Sequence, residues 1–319
     1  MQTLEALQSK IKSVEDLRAV VRTMKTLAMV NIRQYEKARS ALKDYSKSIE
    51  LGLQALLRDR YFSQTPVTFM PNSQKLNQGR VGVILFGSDH GLCGQFNEQI
   101  VTYALEQLNE RQIHRERRLI ATVGVRLIPD LEAAKQTIEN HFSLPSSVAG
   151  TTQLVQELLF TIEKWRFRQF PQFISSIGSE PIEETYYPVE QIILFYNRSI
   201  STTNYQPLTL QLLPLNLHWL HELEQRPWNS SALPIKNMNW ERLFPLFIRQ
   251  YLFVSLYQAT VESMASENAS RFASMQAAEK NIEERLTDLN ADYRSSRQNS
   301  ITAELLDIVA GFEALNQPD

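Results

Sequence analysis

The sequence predicts an α/β protein in which a long antiparallel coiled coil of N- and C-terminal helices brackets a central α/β, Rossmann-like domain. Three observations predict it. Glycine is scarce, 10 in 319 residues, about 3% against a usual ~7%, and Gly82, Gly87, Gly91 and Gly94 crowd into one short stretch. Both ends of the chain carry single apolar stripes, with no proline before Pro66 and none from Leu246 to Gln317. Between them, short apolar runs alternate with helix-like stretches, the pattern of an α/β layer with a parallel core.

Residues 1–57 read as the first long helix. Leu4, Leu7, Ile11, Val14, Leu17, Val21, Met24, Ala28, Tyr35, Ala38, Leu42, Tyr45, Ile49 and Leu56 follow steps of three and four, skipping only Asn31 and Gly52. That is the spacing of a coiled-coil seam. Thr3 stands where an N-cap belongs, without a capping-box partner, since Ala6 occupies the third position. At 1.5 Å per residue the helix is roughly 80 Å long, more than a small domain can cover.

Residues 58–245 read as the α/β domain. Val81–Phe86 is a buried strand, and Phe96–Leu108 has helical spacing. Leu119–Val123 is a second strand, followed by a helix-like stretch from Leu127 to Glu139. Thr151 or Thr152 caps a helix running to Phe170. Ile192–Tyr196 and Leu208–Leu213 are the third and fourth strands. Pro214, Pro227, Pro234 and Pro245, with three tryptophans, mark residues 214–245 as an irregular return.

Residues 246–319 read as the second long helix. Ile282, Leu286, Leu289, Tyr293 and Ser296 form one seam; Ile301, Leu305, Ile308, Phe312 and Leu315 form another, offset by a step of five that changes the local winding. Residues 1–60 hold twelve basic and seven acidic side chains, whereas residues 246–319 hold six basic and eleven acidic. Opposite net charge on two single-striped helices predicts that they pair with each other.

Composition excludes several classes. A net charge of −2 argues against a nucleic-acid binder, which carries a basic excess. The single Cys93 excludes an intrachain disulfide and a cysteine zinc site, and suits a reducing compartment. No apolar run approaches the ~18 residues that span a bilayer, and the first residues show no secretory signal.

The glycine-rich stretch Gly87–Asn97 follows a strand and precedes a helix, where phosphate loops sit. It lacks the Gly-Lys pair of a P-loop and the G-x-G-x-x-G fingerprint. A tight connector, with Asp89 bonding nearby backbone N–H groups, is the simpler reading. His90 and Cys93 suggest a nucleophile pair, but catalytic Cys and His usually come from distant segments. His218 and His221 have metal-ligand spacing on a helix but no third ligand. On the last helix, Arg297, Gln298, Thr302 and Glu304 concentrate hydrogen-bonding groups just before the apolar end Ile308–Phe312. An apolar tip implies a sleeve in another protein.

Three stretches in order resemble γ subunits of F-type ATP synthases. They are Ser9–Val14 with Met24, Leu27, Ala28 and Arg33; Asp89–Gly94 with Asn97; and Val261–Arg271 continuing to Arg297–Gly311. The resemblance implies a central rotor shaft with no catalytic residues and no cofactor, turning inside a hexamer of α and β subunits and standing on ε and the c-subunit ring. It places Arg297, Gln298, Thr302 and Glu304 against a β-subunit loop, and Ile308, Phe312 and Leu315 in the hexamer's bearing. It places Met24 at the β lever, and Asp89, His90, Gly91, Leu92, Cys93 and Gly94 at the foot, near ε and the c ring. It implies a peripheral position on the cytoplasmic face of a bacterial membrane, or on a thylakoid-type membrane. His90 and Gln95 stand where the family usually has Arg and Gly, which points to a divergent member of the kind found in alternate or sodium-pumping bacterial enzymes. A lone Cys93 excludes the chloroplast type's thiol switch. A coiled-coil scaffold with an α/β head and a nucleotide-using α/β enzyme are the competing readings.

Overall fold

A computed structural model describes residues 3–58, 79–167, 189, 191–200, 204–228, 230, 233–235 and 237–315. The elements in order are α1 (Leu4–Arg58), β1 (Val81–Phe86), α2 (Phe96–Glu110), β2 (Arg118–Val123), α3 (Ile128–Ala133), β3 (Ile138–Phe142), α4 (Thr151–Phe167), β4 (Gln191–Ser199), β5 (Tyr205–Leu213), α5 (Leu217–Gln225) and α6 (Trp240–Leu315). Contacts divide the chain into two compact units, residues 1–29 with 271–319 and residues 30–270. Each long helix therefore contributes to both units.

In the larger unit five strands form one sheet in the order β3-β2-β1-β4-β5. The first four run parallel, with Val81 opposite both Arg118 and Gln191, and β5 returns antiparallel along β4. The parallel order 3-2-1-4 is that of doubly wound folds. β1 and β2 are buried along their whole length, as a parallel sheet covered on both faces requires. Successive side chains alternate. Val81, Val83 and Leu85 join Ile100, Ala104 and Leu108 of α2 and Leu131 of α3 on one face. Ile84 and Phe86 join Leu158 and Trp165 of α4, Leu53 and Leu57 of α1, and Phe244 and Ile248 of α6 on the other. Gly82 permits this second layer, because a Cβ there would sit 2.5 Å from Ile192 and 2.7 Å from the Trp165 ring.

The smaller unit is a helix pair. Val21 meets Met275, Ile282 and Leu286, flanked by Ile11, Val14, Met24 and Ala278. The expected charge pairing is present: Arg18 reaches Glu283 at 2.6 Å, Arg22 reaches Glu279 at 2.6 Å and Glu283 at 3.3 Å, and Lys25 also pairs with Glu279. The numbers fall on one helix as they rise on the other, so the pair is antiparallel. Thr3 caps α1, its Oγ1 accepting from Ala6 N at 3.3 Å.

Several expectations are corrected. Leu17 is 52% and Tyr45 46% exposed; Arg18 takes the turn beside Val14 and Val21 and reaches across to Glu283, while Ile32 and Leu53 are buried instead. The helix expected over 127–139 is only Ile128–Ala133; its end closes at Lys135, and Ile138–Phe142 pairs with β2 as an edge strand. The return over 214–245 contains α5, capped by Asn216, whose side chain accepts from His218 N at 2.9 Å and Trp219 N at 3.4 Å. The last helix begins six residues earlier than expected and carries Pro245 inside it. The bond that Pro245 cannot make is to the carbonyl of Glu241, an exposed residue of the first turn that solvent can reach. Residues 168–170 lie outside the described residues.

Candidate functional site

The strand-to-helix loop after β1 is built from its own side chains. Ser88 N donates to Asn97 Oδ1 at 2.9 Å, Asn97 Nδ2 donates to Ser88 Oγ at 2.8 Å, and Ser88 Oγ donates to the His90 carbonyl at 3.0 Å. These bonds fold the loop back on the first turn of α2. Leu92 and Gly94 have positive φ, 64° and 56°, so Leu92 holds a strained conformation and projects 59% exposed.

Asp89 corrects the expectation of local bonding. Its Oδ1 accepts from Val125 N at 2.9 Å and its Oδ2 from Leu144 N at 2.7 Å. One carboxylate thereby ties the loop to the segments that follow β2 and β3. The approach depends on Gly124, with φ 107° and a Cβ position only 2.7 Å from Ser88 N.

Cys93 is buried, and its Sγ lies 3.5 Å from Ser88 Oγ and 3.7 Å from the His90 carbonyl. The thiol meets His90 at its backbone carbonyl, a contact that does not make a nucleophile pair. His218 and His221 lie on the exposed face of α5 beside Glu222 at 3.2 Å and Glu224 at 3.6 Å. Among the described residues no group of three metal-ligating side chains forms.

The loop is joined to α6. Ser270 Oγ donates to the Cys93 carbonyl at 2.6 Å, Ser266 Oγ donates to the Asn197 carbonyl at 3.0 Å, and Asn197 Nδ2 donates to the Phe96 carbonyl at 3.3 Å. Residues 259–270 are buried on every side, which a mostly solvent-facing helix cannot achieve. Small side chains allow close approach, and their hydroxyls replace lost water. On the α1 side Asn31 Nδ2 donates to Asn268 Oδ1 at 3.2 Å, and Tyr35 packs with Val261, Met264 and Ala265. Glu262 is buried beside Arg198 at 3.8 Å, too long for a hydrogen bond. Burial, then the charge of Glu262, pushes the Tyr196 hydroxyl well above its usual range. Sequence reading assigned no role to Ser266, Ser270 or Asn197. The visible signal was the density of small residues from Val261 to Ser270, without a lysine or arginine.

The shaft-tip residues are exposed. Arg297, Gln298, Thr302 and Glu304 all face solvent; Thr302 Oγ1 donates to the Gln298 carbonyl at 2.9 Å, and Ser300 Oγ approaches Glu304 at 3.5 Å. At the register of Arg18 with Glu283, Thr3 lies opposite about residue 298, since facing numbers keep a constant sum in an antiparallel pair. The segment from residue 301 to 311 is exposed throughout, including Ile301, Leu305, Leu306, Ile308 and Val309 at 47–68%. Phe312 and Leu315 continue the helix, and their side chains lie outside the described part. Met24 is half-buried against the seam of Val21 and Met275.

The family model described as ATP synthase matches residues 3–315, nearly the whole chain. This chain belongs to that family. Its relatives are ATP synthase gamma chains: one from Cupriavidus pinatubonensis is 27% identical over 97% of this chain and 98% of its own length, and one from a Sulfurovum species is 23% identical over 99% and 100%. A chain of the Euglena gracilis mitochondrial ATP synthase, solved as OSCP/F1/c-ring, shares the fold with a TM-score of 0.63 and 16% identity, covering 98% of this chain and 94% of that one. A chain from the Tetrahymena thermophila mitochondrial ATP synthase central stalk and c-ring gives 0.54 and 18%, covering 81% and 99%. The gamma-chain identity of the relatives extends over both long helices and the sheet between them. Among the described residues no helix is long and apolar enough to cross a membrane.

Proposed function

We propose that the chain is the central-stalk rotor of an F-type ATP synthase, coupling ion-driven rotation of the c ring to nucleotide affinity changes in the catalytic β subunits. The observation that carries this reading is the single helix beyond residue 298, with apolar side chains exposed at 47–68%. Such a stripe is costly in water and stable inside a sleeve. Its length and position suit an axle entering a hexamer of α and β subunits, with Arg297, Gln298, Thr302 and Glu304 toward a β-subunit loop and Ile308, Phe312 and Leu315 in the bearing. Met24 meets the β lever. The loop Asp89, His90, Gly91, Leu92, Cys93 and Gly94 belongs to the foot, near ε and the c ring, and exposed Leu92 is its side chain most available to a partner. Residues 1–57 and 246–319 serve as the shaft and 58–245 as the foot.

The chain itself has no catalytic site and no cofactor in this reading. Ser88, Asp89 and Asn97 direct their hydrogen bonds into the fold, which supports a structural loop. The chain is peripheral, held on the cytoplasmic face of a bacterial membrane through the c ring.

Reconstitution with α and β subunits from the same source tests the reading. Gel filtration and ATPase turnover are compared for the full chain, a chain ending at residue 296, and Leu305→Ser/Ile308→Ser. A stable complex whose turnover falls with truncation and with the double substitution is expected. Failure to form a complex with folded partners, or turnover indifferent to all tip changes, overturns the rotor and brings forward a coiled-coil scaffold.

A further inference from the structure

At the N-terminal edge of the parallel strands, α2 and α3 end side by side and in the same way. Ile113 N donates to the Leu108 carbonyl at 3.0 Å and Gln112 N to Asn109 at 2.9 Å; Gln136 N donates to Leu131 at 2.9 Å and Lys135 N to Glu132 at 2.8 Å. Each is the paired closure of a Schellman cap. Each places a non-glycine residue at positive φ, Gln112 at 57° and Lys135 at 56°.

Between the two caps lies Arg118, only 8% exposed. Its Nε donates to the Ile113 carbonyl at 2.9 Å, and its Nη2 to the same carbonyl at 2.7 Å and to Asn109 Oδ1 at 2.6 Å. Its Nη1 donates to Gln136 Oε1 at 3.2 Å. Every acceptor is neutral, and among the described residues no carboxylate comes within ion-pair distance. Burial disfavours the charged form, and Arg115 adds repulsion, while Glu116 attracts only at longer range. A guanidinium nonetheless stays charged in proteins. The result is a buried positive charge in the wall of a cavity of 500 Å³, lined also by Asn109, Gln112, His114 and Arg115.

A role in tying two helix ends together accounts for the four bonds of Arg118. It also meets part of the charge, since a cation is favoured beside the carbonyl ends of two helices. It leaves one Arg118 N–H unused, and it does not account for the second guanidinium of Arg115, whose side chain makes no hydrogen bond or ion pair among the described residues. The bond from Arg118 also orients Asn109: its oxygen is engaged, so its NH2 group is left as a donor toward the cavity.

We propose that this cavity binds a small phosphate-bearing anion. Arg118 supplies a fixed charge and one remaining N–H, Arg115 the adaptable fork that grips phosphate oxygens, and Asn109 and His114 further donors. Leu105 and Ile113 give the cavity an apolar wall, and its volume lies in the range of sites for organic ligands rather than bare ions. A free nucleoside phosphate, inorganic phosphate and a phospholipid headgroup share this chemistry.

The test uses the folded full-length chain, with Arg115→Ala and Arg118→Gln variants. Equilibrium dialysis is run with radiolabelled inorganic phosphate and with ADP, and co-sedimentation with phosphatidylcholine vesicles with and without phosphatidic acid. Because the Arg115 side chain is exposed and bonds no described residue, Arg115→Ala leaves the melting temperature unchanged and weakens binding about tenfold or more, the loss of one charge-assisted contact. Saturation by ADP or by phosphate identifies a soluble ligand; pelleting with phosphatidic acid that ADP does not displace identifies a headgroup. No saturable binding of any probe up to about 1 mM, or binding indifferent to Arg115→Ala, overturns the site.

Discussion

Replacing Asp89 by Ala separates a structural loop from one that exists only to touch partners. The carboxylate accepts two backbone N–H groups, Val125 at 2.9 Å on the exposed side and Leu144 at 2.7 Å in a partly buried position. A hydrogen bond to a charged group contributes about 1.5–3 kcal/mol, and losing it leaves a buried donor unsatisfied. Water can replace the acceptor at Val125, so that bond counts at the low end; Leu144 N counts nearer the high end. Together the loss is about 4 kcal/mol. For a unit of this size each kcal/mol moves Tm by about 2–4 °C, so the expected fall is roughly 8–16 °C. Asp89→Asn retains one acceptor oxygen and turns an NH2 group toward the other donor, so its effect falls between wild type and Asp89→Ala. Urea unfolding of the full chain, followed by far-UV circular dichroism, reads both variants. A change below about 1 kcal/mol for Asp89→Ala would refute the reasoning. The carboxylate would then be free for a partner, and the loop's position would have to come from Ser88, Asn97 and the Ser270 bond to the Cys93 carbonyl.

Two further outcomes follow from named contacts. Gly124→Ala places a Cβ at a φ of 107° and 2.7 Å from Ser88 N; it should destabilise by about 2–4 kcal/mol, and a melt within 1 °C or so of wild type would contradict the geometry. Glu279 accepts from Lys25 and Arg22, in that order of effect, which holds its carboxyl below the usual range. A depressed folded-state value makes this pairing stabilising above the ordinary Glu value of about 4.3 and lost as pH falls through the lower folded value. Helicity melts should therefore weaken below about pH 4, and Glu279→Gln should flatten that dependence; an unaltered profile in the variant would count against it.

The most legible parts of the fold were those with a local period. The seam of α1 and α6 shows at steps of three and four, and β1 shows as an unbroken apolar run bounded as the strand is, Val81–Phe86. Opposite charge at the two ends anticipated Arg18, Arg22 and Lys25 meeting Glu279 and Glu283. The misses have identifiable causes. β3 is a half-exposed edge strand with Glu139, Asn140 and His141 at its centre, and only pairing with β2 makes it a strand. The start of α6 was hidden by Pro245, a strong breaker in isolation that an exposed first turn tolerates. α5 had a readable signal in Asn216 followed by Leu217, Leu220 and Leu223, outweighed by the surrounding prolines.

The candidate site divides the same way. The exposed groups at the shaft tip are visible as a concentration of polar residues before an apolar end, because exposure there follows from the chain outrunning its partner helix. The loop's chemistry is not visible. Asp89 finds its donors 36 and 55 residues away, Ser270 finds the Cys93 carbonyl 177 residues away, and Arg118 is surrounded by the ends of two helices. By itself the sequence determined element type where periodicity repeats, the charge match of the two long helices, and the absence of cysteine-pair chemistry, since these depend on spacing and composition along the chain. Tertiary structure decided which backbone groups each polar side chain satisfies, because a buried donor or acceptor must be paired and its partner is set by how the sheet and helices pack.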